Sequence, residues 1–418
     1  MLGKFNGINT CRIFVLFWCI SLCTWLGFIP QTVADAANVQ SYQTITDSSR
    51  RENIFANPVI NRLIDENYRE VQEKGYAELR IPLSLHKITK ERISPNAVDA
   101  ADKLIRAGYQ VYLVGGSVRD LVLGEAPKDF DLTTNASFDE QATVFKEQMS
   151  SHGHPNGITY GKVIYKEGNK EEDIDLSTMR NIPEYYHGTE GIPQSSVKGL
   201  YSASPLFDAF QRDLKMNALY YDMATGELVD FTGGLHDLRE HILDTVAPPE
   251  VQLPNDTTTA MRALRFKIRY GFSLSYRLDK NIREHGKEYV KKLSAPQTYV
   301  LFQFNKMFTA GKAVKCAETL RDYDLYTSIF PGIANVANTE SYQREVNRLL
   351  DALDKQYAKG LKIPEWRPLV TILYPVAKKS SYEEIENILA KQAQAAPLRS
   401  KEMAAARAEL HYLRELQP

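Results

Sequence analysis

Two aspartates one residue apart, Asp129 and Asp131 in KDFDLTT, follow a Gly115-Gly116-Ser117 turn and an arginine, Arg119. Residues i and i+2 of a strand point to one face, so a strand here would project both carboxylates together while Phe130 turns into the core. Such a pair suits Mg²⁺, a hard ion usually held by one or two carboxylates plus substrate phosphates. The glycines lack Cβ atoms, which lets backbone N–H groups come close to an anion. Arg119 falls in the first turn of the helix expected to follow, where a guanidinium and a helix N-terminus both offer donors to a triphosphate. The chemistry open to this set is metal-assisted phosphoryl chemistry: Mg²⁺ at Asp129 and Asp131, and a triphosphate at Gly115, Gly116, Ser117 and Arg119.

The elements that must position these residues are readable from pattern. Val111-Tyr112-Leu113-Val114 is an apolar run ending at the glycine turn, hence a buried strand, and Asn96 to Ala107 is a helix leading into it. Upstream, Asn38 to about Lys87 reads as a polar linker carrying one amphipathic helix, VINRLIDENYREVQEKGY. Strands and helices alternate to about Asp244, and from Arg277 the pattern is helical throughout, with Pro331 and Pro364 as breaks. The Ala-rich KQAQAAPLRSKEMAAARAELHYL reads as a terminal helix.

GGxVRDxxLG followed by DxDxxT resembles the head domain of bacterial poly(A) polymerases and of the related tRNA CCA-adding nucleotidyltransferases. The preceding IPLSLHKITKERISPNAVDAADKLIRAGYQVYLVGG tilts the resemblance toward the poly(A) polymerases. Further matching blocks are YGKVIY, IDLSTMR, DAFQRDLKMNALYYD, VDFTGGLHDL and MRALRFKIRYGF, so the similarity covers roughly residues 83 to 275 and, more loosely, a helical part to about 375. The fold this implies is α+β: a polymerase-β-like nucleotidyltransferase head with a mixed sheet, residues 88–245, and an all-helical neck and body, residues 246–418.

The resemblance also implies roles. Asp175 in IDLSTMR takes the place of an acidic residue beside the DxD pair, and Arg180 that of an arginine that helps bind the nucleotide. Asp213 matches an active-site aspartate, although capping or bracing the next segment is an equally open reading. In relatives the helix after Pro254 begins E-D-x-x-R, and its aspartate and arginine meet the Watson–Crick edge of the incoming base. Here Asp256, Thr259 and Arg262 fall three apart, with Arg265 and Arg269 beside them. Asn255 and Thr259 replace the glutamate and the arginine, and a threonine cannot copy a two-pronged donor. Gln211, Leu214 and Lys215 depart from the family's Arg, Phe and Thr. The metal end is intact while the base-reading end is altered.

The expected activity is Mg²⁺-dependent, template-independent addition of AMP from ATP to an RNA 3′ end. CCA addition to tRNA and a repurposed, exported nucleotide-binding paralogue remain the alternatives. The 418 residues carry 51 Lys plus Arg against 52 Asp plus Glu, a formal charge of −1. That is balanced for a protein expected to grip RNA, and the long body and basic tail common among bacterial poly(A) polymerases are missing, so a protein partner is expected to supply part of the hold. There is no paired His/Cys zinc cluster and no Gly-x-Ser-x-Gly elbow. His152 and His154 in SHGHPNG have metal-pair spacing but read as a surface loop.

Lys4 and Arg12, the apolar run Ile13 to Ile29 and Ala34-Asp35-Ala36 have the layout of a signal peptide over residues 1–36, cleaved after Ala36, or of a single anchor if uncleaved. Either would engage the membrane or export machinery and place the chain in the periplasm or outside the cell. A mis-assigned start would leave it cytoplasmic. Cleavage would leave Cys316 as the sole cysteine, so no intramolecular disulfide is expected.

Overall fold

All four residues of Val111–Val114 are buried because this strand lies in the middle of a sheet, covered on both faces. A computed structural model describes residues 53–153, 159–167, 170–196, 199–293, 299–395 and 398–416. These belong to one of two units, residues 51–418. The leader and its proposed cleavage site lie in the other, residues 1–50, outside the described residues. His154 also lies outside the described residues.

The sheet is built from β1 (Leu79–Ile81), β2 (Val111–Val114), β3 (Asp131–Thr134), β4 (Met149–Gly153), β5 (Thr159–Glu167), β6 (Lys170–Thr178), β7 (Leu219–Asp222) and β8 (Leu228–Asp230). Their order is β1-β8-β7-β2-β3-β6-β5-β4. The β3–β6 pair is parallel and the other neighbours are antiparallel, so the sheet is mixed. Tyr112 and Val114 of β2, Tyr220 of β7, and Val229 of β8 pack with Met179, Tyr186, Phe210 and Phe231 in one core cluster.

Helix α1 (Pro58–Lys74) is the expected amphipathic helix. Asn57 caps it, Gly75 ends it at φ 87°, and Ile60, Ile64 and Val71 form its buried stripe. The segment after it differs from the linker expected there. β1 pairs with β8 through Leu79↔Asp230, Arg80↔Val229 and Ile81↔Leu228, which makes residues 79–81 the edge of the head sheet. Three residues of in-out alternation are too few to stand out within a polar stretch. Helix α2 (Pro95–Arg106), capped by Ser94, buries Ala97, Ala100, Ala101 and Leu104 and contacts β2 and β6.

Beyond β9 (Ile242–Leu243) and its parallel partner β10 (Ser273–Leu274), the described chain is helical. In chain order, with α3 (Gly116–Val122) and α4 (Gly234–Arg239) in the head, the neck and body include α5 (Pro249–Asn255), α6 (Thr257–Tyr270), α7 (Tyr276–Leu293), α8 (Tyr299–Phe308), α9 (Ala313–Asp322), α10 (Glu340–Ala358), α11 (Arg367–Ala377), α12 (Tyr382–Ala395) and α13 (Ser400–Glu415). α6 packs on α7 and α8, while α11 and α12 both pack on α13. The Ala-rich C-terminal stretch forms two helices, α12 and α13, where one was expected. Pro397 falls in the sequence between them and has no N–H to continue a helix. Among the described residues, no helix is long and apolar enough to cross a membrane. Cys316 is buried and free in α9.

Candidate active site

The chain leaves β2 through Gly115 at φ 74°, a conformation costly for any residue with a Cβ, and enters α3 directly. A Cβ at Gly115 would stand 3.4 Å from Arg212 Nη1, and one at Gly116 would stand 3.4 Å from Arg119 Nη2. Guanidinium groups therefore lie against both glycines. The Ser117 hydroxyl turns back and donates to Val114 O at 2.9 Å. Arg119, expected to reach a triphosphate, is 4% exposed. It donates to Asp120 Oδ1 from Nε and Nη2 at 2.9 and 2.7 Å, and to Asn217 Oδ1 from Nη1 at 2.6 Å. Its guanidinium also lies over the rings of Phe266 and Tyr270 of α6, at 5.2 and 5.4 Å. Arg119 thus ties the glycine turn to the neck helix.

The carboxylates do not share a strand as expected. β3 begins at Asp131; Asp129 is exposed just ahead of it, and Phe130 is half-buried instead of turned into the core. Asp131 nonetheless lies at the glycine turn, because Val114↔Asp131 is the last register pair of β2 and β3. On its other side Asp131 pairs with Asp175 of β6. Burial, the Asp175 charge and the Asp129 charge push the Asp131 carboxyl up to about 6, against the opposing pull of Arg212 and Lys162. A divalent cation would relieve that repulsion, and an all-oxygen donor set suits Mg²⁺. Among the described residues, no three or more His, Cys, Asp or Glu side chains form a complete metal-ligand group. A cation at Asp129 and Asp131 would therefore need substrate phosphate oxygens to complete its ligand set.

Asp213 and Arg262 are brought together. Arg262 Nε lies 2.8 Å from Asp213 Oδ2, and Asn217 Nδ2 donates to Asp213 Oδ1 at 3.1 Å. Asn217 also binds Arg119, so one chain of contacts runs from α3 through Asn217 and Asp213 to α6. Arg180 is held by Asp208, which accepts from its backbone N–H at 3.0 Å and stands 3.5 Å from its Nε. Arg265 lies over Phe266, 4.3 Å from the ring centre.

Asp256 and Thr259 are placed differently from the base-reading arrangement that the resemblance implied. Asp256 is the N-cap of α6: one carboxylate oxygen accepts from Thr258 N at 3.1 Å and from the Thr258 hydroxyl, the other from the Thr259 hydroxyl at 2.9 Å. Thr259 is fully buried. A small β-branched hydroxyl three residues into a helix folds back on the cap, where an arginine would have to extend away. The other departures also serve packing. Leu214 is core, Lys215 Nζ pairs with Asp244 Oδ2 at 2.8 Å, and the Gln211 side chain donates to Asn181 O.

Three residues were missed by sequence reasoning. Arg212 donates to Asp208 Oδ2 at 2.9 Å and to the Tyr220 hydroxyl at 3.0 Å, which aims the guanidinium at Gly115. Burial alone would raise the Asp208 carboxyl, but Arg212 and Arg180 hold it below the ordinary value. Lys162 of β5 stands 3.5 Å from Asp175 Oδ1 and 3.0 Å from Asp173 Oδ2. The Lys306 ammonium of α8 is lowered by desolvation and by the nearby Arg265 and Arg262, with the Asp129 and Glu365 charges acting against them. Arg212 adjoins Asp213 in QRD and was within reach of the motif. Lys162 and Lys306 are brought in by strand register and helix packing and had no signal in the linear sequence.

Residues 111–244 match the family "Poly A polymerase head domain". Poly(A) polymerase I of Salmonella typhimurium is 28% identical over 323 residues, 72% of this chain and 66% of that protein. Over residues 111–244 the chain carries a head domain similar to that of this nucleotidyltransferase family. It covers just under two thirds of that relative's length. The CCA-adding enzyme of Lactobacillus helveticus is 32% identical over 198 residues, 47% of this chain and 46% of that enzyme. Among solved structures, the Thermotoga maritima CCA-adding enzyme complexed with tRNA superposes with TM-score 0.59 at 20% identity, covering 79% of this chain and 72% of that one. That similarity establishes the shared fold: a nucleotidyltransferase head of mixed sheet followed by a helical body.

Proposed function

We propose that this chain is a template-independent RNA nucleotidyltransferase of the poly(A) polymerase type, joining AMP from ATP to an RNA 3′ end. The observation that carries the reading is the register pair Val114↔Asp131, which brings Asp131, the second aspartate of the DxD, to the glycine turn. Asp129 and Asp131 would hold Mg²⁺, whose chemistry is to neutralise the triphosphate and make its α-phosphorus easier to attack. Gly115 and Gly116 let the phosphates approach the backbone. Arg212 behind the turn, and Lys306, which feels the Asp129 charge, would supply positive potential to balance a departing pyrophosphate. The attacking group is the RNA 3′-hydroxyl, so positioning and electrostatics suffice and the protein needs no nucleophile of its own.

The engagement of Asp256 with Thr258 and Thr259, and the burial of Thr259, support relaxed selection among nucleotides, since most of the Asp256 acceptor capacity goes to the helix cap. The solved relatives were captured with tRNA and with ATP, which supports RNA and ATP as this chain's partners. Export and a helper protein remain parts of the proposal that rest on sequence alone.

The test is 3′ extension of an oligoribonucleotide by the full chain with Mg²⁺ and each nucleotide in turn. Extension is expected with ATP and lost in the Asp129→Ala, Asp131→Ala double variant. Products that stop within about three nucleotides and consume CTP would assign CCA addition instead. No extension with any nucleotide would reject the reading in favour of a repurposed protein.

A further inference from the structure

Three neighbouring strands set three charged residues in one row. Asp131 on β3 pairs with Asp175 on β6, and Asp175 pairs in turn with Lys162 on β5. Residues directly opposite in a sheet project from the same face, so the order across it is carboxylate, carboxylate, ammonium. Asp173, two residues from Asp175, shares that face. The Lys162 ammonium stands between these last two, 3.0 Å from Asp173 Oδ2 and 3.5 Å from Asp175 Oδ1. The Lys162 side chain is 29% exposed and that of Asp175 62%, so the pair lies open to solvent, where a diffusible cation can compete for the carboxylate.

A metal ion and a lysine cannot both be the near neighbour of one carboxylate without strong mutual repulsion. We propose that Lys162 is a tethered cation that takes the charge-neutralising place beside Asp175, so that Asp175 is withheld from the metal and a single divalent cation is confined to Asp129 and Asp131. Lys162 is on this account a positioning residue, acting through Asp175. The alternatives for a third ligand narrow accordingly: Asp213 is ion-paired to Arg262, and Asp175 is paired to Lys162. A lysine has the right properties for the task, being a compact ammonium on a flexible stem with no acceptor to bind metal. The inference rests on the proposed metal site at Asp129 and Asp131.

The experiment is a Mn²⁺ titration of the full chain with a saturating non-hydrolysable ATP analogue, read by electron paramagnetic resonance for affinity and stoichiometry. It compares wild type, Lys162→Met, Asp175→Asn and the double variant, with circular dichroism as a check on folding and Lys162→Gln as a second removal of charge. Lys162→Met should tighten Mn²⁺ binding about tenfold or add a second ion, and Asp175→Asn should change wild-type binding less than about twofold but abolish that gain in the Lys162→Met background. Loss of about tenfold in affinity from Asp175→Asn alone would overturn the proposal, because Asp175 would already be a ligand. So would unchanged binding in both lysine variants. Binding that survives Asp129→Ala, Asp131→Ala with full affinity would instead reject the underlying metal site, which separates the two failures.

Discussion

Asp131→Asn is expected to stabilise the protein while abolishing its activity. In the metal-free fold, burial and the charges of Asp175 and Asp129 raise this carboxyl from an ordinary 3.8 to about 6. Between those values the folded state holds a proton that the unfolded state has released. The contribution of this group to stability is therefore fully present below 3.8 and is lost as the pH rises through 6. Relative to a permanently neutral side chain, the ionised group costs about 2 kcal/mol at about pH 5 and about 3 kcal/mol at about pH 8. Asparagine keeps the shape and removes the charge. Urea denaturation of the metal-free chain should show Asp131→Asn more stable than wild type at both pH values, with the advantage growing by about 1 kcal/mol from about pH 5 to about pH 8. Saturating Mn²⁺ and ATP analogue should shrink or reverse it, because the ion stabilises only the wild-type carboxylate. A variant that is less stable than wild type at both pH values, or an advantage that does not grow with pH, would refute the account of Asp131 as a repelled, buried carboxyl.

Further outcomes follow from the same geometry. Gly115→Ala places a Cβ at a φ of 74° and 3.4 Å from Arg212 Nη1. It should cost about 1–2 kcal/mol in urea denaturation and depress kcat for extension. Asp208→Asn removes the fully buried partner of both Arg180 and Arg212, and a loss of about 3–5 kcal/mol is expected in the same assay. Asp256→Ala removes the α6 cap and the acceptor of the Thr259 hydroxyl, at a cost of about 1–2 kcal/mol. The ratio of kcat/KM for ATP over GTP should nevertheless stay within about twofold, since a side chain spent on capping contributes little to discrimination.

The sequence by itself determined the candidate chemistry and where along the chain its residues begin. A glycine turn between an apolar run and a helix, followed by DxD, is local: β2, α3 and β3 fall within residues 111–134, where spacing fixes which backbone and side-chain groups can meet. The helix stripes of α1, α2 and α6 were legible for the same reason, since a 3.6-residue period is written in adjacent residues. Tertiary structure decided the electrostatic surroundings. Asp131 meets Asp175 only because β3 and β6 run parallel side by side, and Asp175 meets Lys162 only through the β5–β6 register. Arg119 looked like a phosphate ligand in the motif, yet Asn217, Phe266 and Tyr270 draw it inward as a brace. Asp256 and Thr259 looked like a weakened base reader, and the fold uses them to cap and pack a helix. The physical reason is one of range. Backbone conformation and face periodicity are set within a few residues. The partners that fix a side chain's charge, exposure and direction come from segments tens to hundreds of residues away, joined by strand register and core packing that no short motif encodes.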